Sequence, residues 1–183
     1  MNTTEKLADF AVKTRYEDIP KAVIERTKEL LLDIMGATVA GSAMPVNKVL
    51  KDYCEQKRSA RGEATAVGCG YLTSAEDAAL LNGTFLHSTE LESVPMKGTQ
   101  LTAIPGIAAF SIGEKLGVSG KNVLEGFVVG FELYGRISFN TQGISARGGW
   151  GCITGTLGAA ATAGKILCLL RDFARRRWPL RGS

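Results

Sequence analysis

Ten consecutive residues, Gly155-Thr156-Leu157-Gly158-Ala159-Ala160-Ala161-Thr162-Ala163-Gly164, carry a single large side chain. The stretch from Thr154 to Leu167 reads as a helix with almost no side-chain volume to bury. Protein interiors are close-packed, so such a helix is accommodated only where neighbouring backbones approach it directly. Gly126 and Gly130, four residues apart in another helical segment, meet the same requirement, and close helix packing explains them better than a ligand does. The chain is thereby constrained to a fold of helices layered on helices.

The rest of the chain agrees with this constraint. A first helix is expected from about Thr4 to Thr14, with Leu7, Ala8, Phe10 and Ala11 on one apolar face. Asp18-Ile19-Pro20 opens a second, in which Val23, Ile24, Thr27, Leu30, Leu31, Ile34 and Met35 recur at helical spacing. Further helices are expected over Val46 to Gln56, and over Ala78 to His87 with Ser74 and Asp77 at its start. Two more are read over Pro105 to Leu116 and from Lys121 to about Arg136, the latter capped by Ser119. Only Ala64 to Val67 reads as a strand, closed by Gly68-Cys69-Gly70. The fold class is therefore all-α: a compact helical domain with small-residue packing and at most one short strand pair. The domain is assigned to residues 1–167, and 168–183 is an aperiodic, arginine-rich tail.

The 183 residues are 45% hydrophobic and 22% charged, which fits one globular domain rather than a disordered chain. From Arg171 onward five arginines face one aspartate, which accounts for the whole net charge of +4. A nucleic-acid partner would rest on that tail alone and is not expected. No apolar run reaches the roughly 18 residues that span a membrane, and Met1 to Lys6 does not read as a secretory signal. Cys54, Cys69, Cys152 and Cys168 form neither a C-x-x-C pair nor a zinc spacing, so reduced thiols and a cytoplasmic setting are expected. Thr154-Gly155-Thr156-Leu157-Gly158 lacks the preceding apolar strand that a dinucleotide loop needs.

Chemistry is concentrated in Ala79-Leu80-Leu81-Asn82-Gly83-Thr84-Phe85-Leu86-His87-Ser88-Thr89-Glu90-Leu91-Glu92. It holds the only histidine of the chain, followed by carboxylates at three and five residues. His87 is either a buried, hydrogen-bonded structural residue or a site residue. One histidine and two acids make a weak metal site, and none is expected. Glu90 and Glu92 would not face each other on a helix, but on an irregular turn they would converge.

This stretch resembles the signature A-x-x-N-G-x-x-x-H-x-x-D-x-D-D of the MmgE/PrpD family, which includes 2-methylcitrate dehydratase, cis-aconitate decarboxylase and iminodisuccinate epimerase. Further blocks are similar in order and spacing: Leu31-Leu32-Asp33-Ile34-Met35-Gly36, Gly62-Glu63-Ala64-Thr65-Ala66-Val67-Gly68, Gly117-Val118-Ser119-Gly120, and Gly130-Phe131-Glu132 with Arg136-Ile137. The resemblance covers about residues 4–167. It implies a helical domain, usually joined to a smaller α/β domain in a chain more than twice as long. It also implies homodimers, no metal or organic cofactor, and dehydration, decarboxylation or epimerisation of a small di- or tricarboxylate.

Laid on this signature, the chain departs where protons are moved. The two motif aspartates are Glu90 and Glu92, the third acid is Ser93, and the histidine of the following T-H-P segment falls on Gln100. A second family histidine falls on Gly149, Trp150 or Gly151, within a glycine-rich loop from Gly143 to Gly151. Glu92 is then the best remaining base, with Glu90 and His87 as its catalytic neighbours. Arg147 is suited to clamp a substrate carboxylate, and Gln100, Thr102 and Thr154 to bind substrate through neutral hydrogen bonds. The resulting expectation is a family-type lyase or isomerase, truncated or frameshifted near residue 167 and inactive alone. The alternative is a non-catalytic helical dimerisation or binding module, or one half of a split enzyme.

Overall fold

In the computed structural model, residues 2–56, 62–93, 102–140 and 154–168 are described. Among them the all-α reading holds. Seven helices are present: α1 (Thr3–Lys13), α2 (Lys21–Ser42), α3 (Lys48–Gln56), α4 (Ala75–Ser88), α5 (Ala103–Leu116), α6 (Gly120–Asn140) and α7 (Gly155–Ile166). Short 3₁₀ turns, Tyr16–Asp18 and Pro45–Asn47, precede α2 and α3. Strands β1 (Ala64–Ala66) and β2 (Tyr71–Thr73) form one antiparallel hairpin, with Thr65 opposite Leu72. No single helix among the described residues is long and apolar enough to cross a membrane.

The helix ends follow local chemistry. The Asn2 carboxamide oxygen accepts from the Glu5 N–H at 2.9 Å, and the Glu5 carboxylate accepts from the Asn2 N–H, which closes a capping box on α1. Ser74 Oγ accepts from the Asp77 N–H at the start of α4, as the sequence predicts. Helix α6 runs four residues past the expected Arg136, because Ile137 and the buried Ser138 continue its packed face toward α7.

The helices pack in a closed circuit: α2 on α4, α4 on α5, α5 on α7, α7 on α6, and α6 back on α2. Leu31, Ile34, Leu86, Ile107, Phe127 and Ile166, drawn from all five helices of that circuit, form the main core. The small residues do what their composition requires. A methyl group on Gly130 would lie 1.8 Å from Thr162 Oγ1 and 2.6 Å from the Gly158 carbonyl oxygen, so α6 and α7 touch at their backbones. A methyl on Gly41 would lie 1.8 Å from the Phe85 carbonyl oxygen, which sets the crossing of α2 and α4. The hairpin is held to α4 by Asn82, which donates to the Thr65 carbonyl at 2.8 Å and accepts from the Val67 N–H at 3.0 Å.

A buried lysine joins the beginning of the chain to α7. Lys165 Nζ donates to the carbonyls of Ala11, Val12 and Thr14 at 2.9, 3.2 and 2.6 Å, and pairs with Glu125 Oε1 at 3.3 Å. The other Glu125 oxygen accepts from the Tyr16 N–H at 2.7 Å. The unsatisfied carbonyls at the end of α1 thus receive a cation, which the helix dipole also favours.

Gly41→Ala is expected to lower stability by about 3 kcal/mol in urea unfolding, because a backbone oxygen cannot rotate away. Gly36→Ala, one and a half turns earlier where a methyl meets nothing within 4 Å, is expected to raise it by about 0.5–1 kcal/mol. Lys165→Met leaves Glu125 buried without its cation and is expected to cost about 3–5 kcal/mol by the same measurement.

Candidate active site at the end of helix α4

Helix α4 delivers His87 to its last turn and then stops abruptly. Hydroxyl groups close its C-terminus: Ser88 Oγ donates to the Phe85 carbonyl and Thr89 Oγ1 to the Leu86 carbonyl, each at 2.8 Å. Glu90 follows with φ +50°, a left-handed backbone that side-chain-bearing residues seldom adopt. That reversal brings the chain back beneath the imidazole. Glu92 Oε1 lies 2.9 Å from His87 Nδ1, and Glu90 Oε1 lies 3.6 Å from His87 Nε2. The two acids converge on the ring from its two nitrogens rather than on each other, because the helix has ended before either is reached.

Exposure separates the three groups. The Glu92 side chain is fully buried, whereas the His87 side chain is 52% exposed and that of Glu90 70%. The second Glu92 oxygen, Oε2, is buried and has no hydrogen-bond partner among the described residues. An ionised carboxylate is costly to bury and requires compensation. The imidazole supplies the one bond this carboxylate makes among the described residues. His87 is thus neither of the two sequence alternatives in pure form, being hydrogen-bonded at one nitrogen and open at the other edge.

The turn is anchored on both sides. The Ser93 N–H and Oγ donate to Asp33 Oδ2 on α2 at 3.2 and 2.9 Å. Thr102 is fully buried, and its hydroxyl donates to the Ser93 carbonyl at 3.0 Å, which holds the start of α5 against the end of this turn. Beside His87 opens a cleft of about 380 Å³, lined by Ala79, Gly83 and Leu86 of α4, Ala103 and Ile104 of α5, and Ala159 of α7. Its walls are apolar, and the imidazole is the titratable group on its rim. The volume falls within the range of small-molecule sites.

The other expected site residues are distributed differently. Thr154 lies on the seam between α6 and α7, where its hydroxyl shares a 2.5 Å hydrogen bond with Ser138 Oγ. Gln100 and Arg147 fall outside the described residues, as do the Gly143–Gly151 loop and the arginine-rich tail. Asp33 is a contributor that the sequence did not mark as part of the site. Nothing distinguishes it from other acids on the exposed face of α2. Among the described residues no cluster of three or more His, Cys, Asp or Glu side chains has the geometry to hold a metal ion. Cys54 is a buried thiol outside any disulfide, and burial pushes the Cys69 thiol above its ordinary value, so neither has the character of a nucleophile.

The sequence profile of the MmgE/PrpD N-terminal domain matches residues 5–174. The chain is similar to the cis-aconitate decarboxylase-like protein oryM of Aspergillus oryzae, with 29% identity across 93% of this chain and 38% of that protein. It is also similar to the cis-aconitate decarboxylase of Aspergillus terreus, with 28% identity over 92% of this chain and 36% of the relative. The mouse cis-aconitate decarboxylase shows 26% identity over the same shares. The chain therefore spans under two fifths of the length of these relatives.

The left-handed backbone at Glu90 should carry strain of about 1 kcal/mol. Glu90→Gly is accordingly expected to raise the urea midpoint by that equivalent, although it removes a carboxylate beside His87. A lowered midpoint would show that the turn depends on the Glu90 side chain.

Proposed function

Since this chain belongs to the MmgE/PrpD family, we propose that it provides the helical part of a lyase or isomerase site for a small di- or tricarboxylate. The observation that carries this reading is the buried Glu92 carboxylate bonded to a half-exposed His87 at the mouth of a cleft. Dehydration, decarboxylation and epimerisation of such acids share one demand, a proton moved at a carbon next to a carboxylate. Acid–base groups held in a fixed geometry at a cleft supply it.

Decarboxylation of cis-aconitate is the first reaction to test, because the relatives named above carry that activity in their names. In this proposal Glu92, His87 and Glu90 form the acid–base group. Arg147 and Gln100 hold the substrate carboxylates by charge and by neutral hydrogen bonds, while Thr102 and Thr154, whose hydroxyls are engaged with Ser93 and Ser138, fix the elements around the cleft. The relatives' greater length supports a site completed by further polypeptide, with weak or absent turnover by these 183 residues alone. A homodimer, no bound cofactor and a cytoplasmic setting belong to the same proposal.

A second reading has its own support. Val46, Val49 and Tyr53, beside and along α3, are 69%, 79% and 47% exposed and recur at helical spacing. A non-catalytic helical module that associates through this face would display such a stripe. Substrate binding separates the two. Calorimetric titration of the 183-residue chain with cis-aconitate is expected to show binding that Arg147→Ala weakens at least tenfold, with any turnover read by loss of the substrate's vinyl proton signal in NMR. Absence of binding by cis-aconitate, citrate and aspartate-derived dicarboxylates at millimolar concentration would overturn the enzymatic reading in favour of the helical module.

A further inference from the structure

Within that functional reading, on which this inference rests, we propose a division of labour: His87 is the catalytic residue whose Nε2 carries the proton, and Glu92 is the positioning residue behind it. The sequence favours Glu92 as the base. The geometry points the other way.

Glu92 has no route to a substrate. Its side chain is fully buried, and Oε1 is engaged by the imidazole at 2.9 Å. His87, by contrast, is half exposed and lines the cleft. An ionised carboxylate only accepts hydrogen bonds, so the contact requires the proton of the neutral ring to sit on Nδ1. The lone pair is then on Nε2. Glu90 Oε1 stands 3.6 Å from that atom, beyond hydrogen-bond length, and its side chain is 70% exposed, which leaves Nε2 open to an incoming substrate. A fixed tautomer, a carboxylate behind one nitrogen and an open cleft before the other are what proton transfer by an imidazole requires.

The step balances in both directions. In proton removal, the C–H bond next to a substrate carboxylate breaks and its electron pair passes into that carbon and the adjacent carboxylate. The Nε2 lone pair forms the new N–H bond, and the imidazolium charge is offset by Glu92. In dehydration the pair goes on to form a C=C bond as the C–O bond breaks, and the departing hydroxide takes the proton from Nε2 to leave as water. In epimerisation the carbon takes a proton back on its opposite face. In decarboxylation the C–C bond breaks, carbon dioxide leaves, and the pair left on the carbon skeleton receives a proton from an imidazolium already charged.

His87 is the only histidine of the chain, so ¹⁵N-labelled protein gives one set of ring signals. Long-range ¹H–¹⁵N spectra of the full 183-residue chain are expected to show the neutral ring protonated on Nδ1. In Glu92→Gln, whose amide both donates and accepts, the ring is expected to shift toward a mixture of tautomers. In the assembly that turns over cis-aconitate, the chain alone or joined by the polypeptide that completes its site, Glu92→Gln should lower kcat by about 100-fold with KM changed less than about threefold, and His87→Gln should lower kcat at least as far. A wild-type ring protonated on Nε2 overturns the division of labour even if turnover is intact, and needs no variant to be read. An unchanged tautomer and unchanged kcat in Glu92→Gln do the same. A ring protonated on Nδ1 in a protein that neither binds nor turns over any polycarboxylate overturns the functional reading, and the catalytic role of His87 with it.

Discussion

Two helix pairs meet with nothing between their backbones, α6 with α7 at Gly130 and α2 with α4 at Gly41. These contacts fix where every other element lies. Helix α7 has almost no side chains with which to find its place, so its position is set by how closely α6 lets it approach. Its Ala159 then forms one wall of the cleft beside His87. The Gly41 crossing likewise fixes α4, and with it the helix end on which the imidazole is carried. A cleft among alanines and glycines is the space that small side chains leave when the backbones cannot come closer.

The chemistry sits where regular structure stops. A helix end leaves carbonyls without partners, and here Ser88 and Thr89 satisfy two of them with their own hydroxyls. The chain can then reverse through Glu90 without wasting hydrogen bonds. This reversal buries Glu92 under the ring, at the cost of desolvating an acid whose second oxygen finds no partner among the described residues. Such an arrangement is a poor way to gain stability. It is an effective way to hold one imidazole in one orientation at the rim of an apolar space.

Much of the fold was legible in the residues because helical periodicity and terminal signals agree. Ser74 caps α4 and Gly117 ends α5, as their positions in the sequence imply. Gly126 and Gly130 lie against Ile166, Thr162 and Gly158, as expected of packing glycines. A single strand pair was allowed for, but the position of β2 was not foreseen, since Tyr71-Leu72-Thr73 is too short to show alternation and exists only through its pairing with β1. The residues of the site were legible as a cluster, but their roles were not. A left-handed glutamate has no sequence signature, and without that turn the sequence does not say which acid meets which nitrogen. Burial is likewise a property of the assembled fold, so the exchange of roles between Glu92 and His87 could not be read earlier. Asp33, sixty residues from the serine it holds, gave no signal at all.

Lys165 bonds to carbonyls more than 150 residues away in sequence. The first helix can form locally within microseconds, yet the cation that fixes its end belongs to the last of the described helices. Closing a loop of that length costs entropy before any contact is gained, and contacts of high sequence separation slow folding. On a ribosome the amino-terminal helix would wait, formed but undocked, until α7 had cleared the exit tunnel. Docking of the amino-terminal helix is then a late event, in which α7 delivers both the close-packed wall of the cleft and the lock on the end of α1.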